Sequence, residues 1–92
     1  MAFIIEKFGG TSLADGERIA RAAAIAAAGY LEGHRMVAVV SAMGDTTDRL
    51  ISRAREMGGE GRELDALMAT GEQASAALMA MCLSGVGIPA VS

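Results

Sequence analysis

The residues best equipped for chemistry lie within six consecutive positions near the amino terminus, Lys7, Phe8, Gly9, Gly10, Thr11 and Ser12. Two adjacent glycines let a backbone approach an anion, hydroxyls and helix-start amides donate hydrogen bonds to it, and a lysine supplies positive charge. These are the parts of a phosphate cradle. The segment is not a Walker A loop, which sets its lysine after the glycines, whereas Lys7 precedes Gly9 and Gly10. The glycine pattern alone leaves a tight turn with a solvated lysine open as the alternative.

Two further stretches carry candidate groups. Ser41, Thr46 and Thr47 stand around Gly44. Hydroxyls before a helix can hold a carboxylate at the positive end of the helix dipole, and they equally serve as plain caps. Glu72 follows Gly71, and a glycine inside a helix costs about 1 kcal/mol relative to alanine. Close approach of a ligand or another backbone would account for Gly71, and Glu72 would then border the same space. Without that, Glu72 is an ordinary exposed carboxylate. The chain has one histidine and one cysteine, so no metal site and no internal disulfide is expected. His34 reads as a solvated loop residue, Cys82 as a packing residue, and Met68, Met79 and Met81 as core filling.

Strands and helices must position these groups. Apolar runs at Phe3 to Ile5 and Met36 to Val40 suit strands buried on both faces of a parallel sheet. Between them, Ile19, Ala22, Ala23, Ala26 and Tyr30 recur at helical spacing over Asp15 to Tyr30. Ser12 or Asp15 can cap the start of that helix, and Gly29 or Gly33 lies near its stop. A second helix is expected from Asp45–Asp48 to about Met57. After the break at Gly58, Gly59 and Gly61, a long helix should run from Arg62 to about Leu83. Its stripe would be Leu64, Leu67, Met68, Gly71, Ala74, Ser75, Leu78, Met81 and Cys82. Ala90, Val91 and Ser92 read as the start of a third strand.

Alternating strands and helices imply an α/β fold with a mostly parallel sheet. Both functional loops follow strand ends, where such sheets bind ligands. Three strands, one a stub, leave the sheet short, so the natural protein is expected to continue well past Ser92. A chain of 92 residues buries only about 60% of its unfolded surface and is marginal alone. The apolar run at the amino terminus is too short for a signal peptide, and none approaches the roughly 20 residues of a membrane span. A net charge of -3 with interspersed signs argues against nucleic acid and acidic membranes as partners. A cytoplasmic setting and a small-molecule or protein partner are expected.

Taken together, three stretches closely resemble aspartate kinases: Lys7-Phe8-Gly9-Gly10-Thr11-Ser12, Val39-Val40-Ser41-Ala42-Met43-Gly44-Asp45-Thr46-Thr47-Asp48, and Ala69-Thr70-Gly71-Glu72-Gln73. The first is shared more loosely across the amino acid kinase superfamily; the other two are specific to the aspartate kinase branch. The resemblance spans essentially the whole chain. It implies a three-layer α/β/α sandwich and phosphorylation of the L-aspartate side-chain carboxylate by ATP with Mg²⁺. The product is 4-phospho-L-aspartate, on the way to lysine, threonine, methionine and diaminopimelate.

The resemblance makes Lys7 catalytic and assigns Lys7, Phe8, Gly9, Gly10, Thr11, Ser12 and Ser41 to the nucleotide. Ser41, Asp45, Thr46, Thr47, Asp48, Arg49 and Glu72 go to the aspartate, with Glu72 also catalytic, either holding the substrate ammonium or orienting Lys7. Residues 1–92 would be the amino-terminal part of the catalytic domain. The family's later aspartate-binding arginine, its adenine pocket and its ACT regulatory domains would lie beyond Ser92, leaving this stretch inactive alone. A homo-oligomer, or association with the remainder of the enzyme, is expected. A glutamate or acetylglutamate kinase would share the first motif but not the others, and a non-catalytic subunit-binding fragment is the rival from a different class.

Overall fold

Two parallel strands need a crossover connection, and the alanine-rich stretch supplies it. The computed structural model describes residues 1–92. They form β1 (Phe3–Phe8), a single 3-10 turn (Thr11–Leu13), α1 (Gly16–Leu31), β2 (Arg35–Val40), α2 (Thr46–Glu56) and α3 (Gly61–Gly85). β1 and β2 pair in parallel from Phe3 opposite Arg35 to Phe8 opposite Val40. The expected α/β class and parallel pairing are present. β1 runs three residues further than the apolar run Phe3 to Ile5, because ladder pairing carries Glu6 and Lys7 along with their apolar neighbours.

Asp15 starts α1 as expected, its carboxylate accepting from the Arg18 amide at 2.9 Å. The helix buries Ile19, Ala22, Ala23, Ala26 and Ala27. Tyr30 is exposed instead, since Ala27 takes the place on the buried face one turn beyond Ala23. Alanines on this face let α1 lie close to α3, whose Met79 and Leu83 join the same core with Phe8, Leu13 and Ile88. On α3 the buried row is Gly71, Ser75, Met79 and Leu83, spaced by four. Leu78 and Met81, expected inside, face outward, with Met81 67% exposed. A four-residue row drifts around a helix relative to the i, i+3, i+4 stripe, and the line of contact with α1 follows that row. Met79 does fill the core, Met68 is half-buried, and Cys82 packs against the core's edge as expected.

The strands are not buried on both faces. Ile4, Glu6, Phe8, Met36, Ala38 and Val40 turn toward the helices, while Phe3, Ile5, Lys7, Arg35, Val37 and Val39 turn away and are exposed. Glu6 Oε1 is buried on the inner side without a hydrogen-bond partner. Helices α1 and α3 both serve the inner face and α2 packs on α3, so two layers of the expected three lie within these residues. Ala90 to Ser92 form no strand. Three residues gain too few ladder bonds to offset an ordering cost of about 1–2 kcal/mol each, and they line an apolar groove of about 860 Å³ beside the free edge of β2. His34 is more than a solvated loop residue: its Nδ1 accepts from the Ala2 amide at 3.0 Å, tying the start of β1 to the start of β2.

Candidate active site

Strand alternation sets the first part of the site. Lys7 lies exposed near the carboxyl end of β1, on the face away from α1 and α3, and takes part in no ion pair within the chain. Phe8 points the other way and is buried, so its side chain belongs to the core and only its backbone borders the turn. Gly9 and Gly10 follow, and neither amide donates a hydrogen bond within the chain. Both are therefore free to donate to an anion. The 3-10 turn after them is pinned by Leu13, which is fully buried; full burial of such a side chain contributes about 1.5–3 kcal/mol. Arg18 reaches back from α1, its Nη1 donating to the Thr11 carbonyl at 3.0 Å.

The loop from Ser41 to Asp45 folds against this turn. The Gly10 carbonyl accepts from the Gly44 amide at 3.0 Å as well as from Leu13 at 3.1 Å. A Cβ on Gly10 would stand 3.1 Å from the Ala42 carbonyl oxygen, so the two loops touch backbone to backbone. Gly44 has φ of +48°, a left-handed conformation that glycine adopts without strain. Asp45 is the residue preceding α2, yet no side chain caps that helix. Its carboxylate instead accepts from Arg49 Nε at 3.2 Å, an exposed pair of small energetic weight. The hydroxyls of Ser41, Thr46 and Thr47 make no hydrogen bond within the chain. The plain-cap account of these threonines therefore lacks the bond it requires, and the three residues are half-buried.

The third part arrives on α3. Gly71 is buried where the helix crosses the second loop, and a Cβ there would lie 2.9 Å from Ala42 Cβ and 3.2 Å from Thr46 Cγ2. The close approach that this glycine foreshadows is that of the second loop. Glu72 is exposed beside it, without an ion pair. Asp48 is exposed in the first turn of α2. Sequence patterning gives no sign of Ala42 as the residue where all three motifs meet, because an alanine in a loop carries no periodic signal. Nor does it mark Arg18, whose tie to Thr11 spans seven residues across a turn.

The chain matches the model of the amino acid kinase family over residues 2–92. It is similar to the aspartokinase of Thermus thermophilus, at 50% identity covering 98% of this chain and 23% of that protein. Aspartokinase 2 of Bacillus subtilis is 47% identical over 100% of this chain and 23% of its own length. Among solved structures, aspartate kinase from Synechocystis superposes with a TM-score of 0.92 at 41% identity, covering 97% of this chain and 16% of that one. The chain thus spans less than a quarter of the length of the curated relatives it matches.

Proposed function

This chain belongs to the amino acid kinase family, and from that premise we infer that it forms the amino-terminal part of the catalytic domain of an aspartate kinase. The observation that carries the reading is the convergence of three separated motifs at the carboxyl edge of the sheet: Gly10 against Ala42 and Gly44, and Ala42 and Thr46 against Gly71. The aspartokinases that match this chain from end to end support aspartate as the acceptor.

A carboxylate acceptor is already ionised at neutral pH and needs no strong general base; the difficulty is to bring one anion up to another. Positioning and electrostatic stabilisation then dominate. ATP supplies the transferred phosphoryl group, with Mg²⁺ offsetting part of its charge. In this reading the ion is carried by the nucleotide phosphates. The free amides of Gly9 and Gly10 and the hydroxyls of Thr11 and Ser12 receive those phosphates. Lys7 stabilises the charge that develops on the phosphoryl group in flight. Ser41 stands between the two substrates, and Thr46, Thr47 and the start of α2, with Asp45, Asp48 and Arg49, border the aspartate. Lys7 leaves the sheet on the face opposite α3, which favours Glu72 as the partner of the substrate α-ammonium over Glu72 as a support for Lys7. A cytoplasmic setting and a place on the way to lysine and threonine belong to the same reading; no helix is long and apolar enough to cross a membrane.

The test is an acceptor screen with the full-length protein, trapping acyl phosphate as the hydroxamate. Aspartate should be turned over in preference to glutamate and acetylglutamate; preference for either of the latter overturns the assignment within the family. A sharper expectation concerns Thr47, whose hydroxyl is unpaired within the chain. Thr47→Ala should raise KM for aspartate more than KM for ATP, since a hydrogen bond to a charged group is worth about 1.5–3 kcal/mol. Equal effects on both substrates, or an effect on thermal stability alone, would return Thr47 to a structural role.

A further inference from the structure

We propose that Gly71 and Ala42 form a seat that sets the position of the acceptor-binding loop relative to Glu72, and that the bare Cα of Gly71 is a positioning element of the reaction. The proposal rests on the reading of the site as a carboxylate kinase and adds a residue to which no ligand contact is assigned.

The geometry leaves little slack. A methyl group on Gly71 would stand 2.9 Å from Ala42 Cβ, closer than real Cβ contacts come, and 3.2 Å from Thr46 Cγ2. Neither neighbour is the end of a flexible chain that can swing aside. Ala42 is itself buried and lies between the two loops, since its carbonyl oxygen is the nearest atom to the Cβ position of Gly10. Any displacement of Ala42 therefore moves the backbone that carries Ser41 on one side and Thr46 and Thr47 on the other. On the helix side, Ser75 is buried one turn beyond Gly71, and Met79 and Leu83 further along the same row are fixed in the core. Hence α3 cannot readily yield, and the loop must.

A change confined to this contact alters distances between groups that touch the acceptor while leaving those groups in place. Gly71→Ala improves intrinsic helix propensity, so a general weakening of α3 is not the expected route of damage. In the full-length enzyme, Gly71→Ala should lower kcat/KM for the carboxylate acceptor by about tenfold or more, within the order of 10²-fold that a misplacement near 1 Å can cost. Adding Ala42→Gly removes the opposing methyl and should restore most of the loss, a rescue that a merely destabilised helix would not show. Loss without rescue, or Gly71→Ala within twofold of wild type, overturns the proposal. If the wild-type enzyme proves to use a carboxylate other than aspartate, the substrate reading fails, and the same pair of variants measured with that acceptor still decides whether the seat positions the loop.

Discussion

Replacing Lys7 by alanine in the full-length enzyme should lower kcat by about 10²-fold or more. Lys7 is exposed near the end of β1, makes no ion pair within the chain, and is followed by two glycines whose amides are free. A cation held there in the ground state without a partner is available to charge that builds up during transfer. The loss of one such contact, made mainly in the transition state, costs about 2.7–4 kcal/mol. A variant within threefold of wild type removes Lys7 from the mechanism.

The second large effect is expected of residues 1–92 taken alone: no aspartate kinase turnover, and association in solution. Only 14 of 92 residues are buried, which leaves a small core for a chain with a 25-residue helix. Phe3 and Ile5 are 63% and 65% exposed, and with Val37 and Val39 they make one apolar face of the sheet. The groove beside the free edge of β2 adds Val40, Ala90 and Val91 to the apolar surface. Contiguous patches of this kind, next to an unpaired strand edge, drive association. Transfer in turn requires both substrates within about 3–3.5 Å of reaction, whereas in the proposed reading this stretch, less than a quarter of its relatives' length, supplies only a phosphate turn and one side of an acceptor site. Hydroxamate trapping with aspartate, ATP and Mg²⁺ tests the first half and light scattering the second. Turnover by a monodisperse monomer would refute both.

Much of this arrangement is legible in the chain itself because it depends on local chemistry. Asp15 before an alanine-rich run predicts a capped helix, and Asp15 caps it, since the side-chain bond to Arg18 is decided within four residues. Ile19, Ala22, Ala23 and Ala26 predict the buried face of α1, because 3.6-residue periodicity is a property of the helix alone. Gly71 announces a close approach, because its cost inside a helix must be offset by something. What approaches is a tertiary fact: the second loop, with Ala42 at the point of contact, is 29 residues away by number, and an alanine carries no mark of it. The same holds for α3, where Met79 and Leu83 are buried and Met81 is exposed. Both rows are apolar, and only the line along which α1 packs chooses between them. The exposed face of β1 and β2 is decided the same way, since an apolar run reads alike whether one side or both are covered, and α1 and α3 cover one.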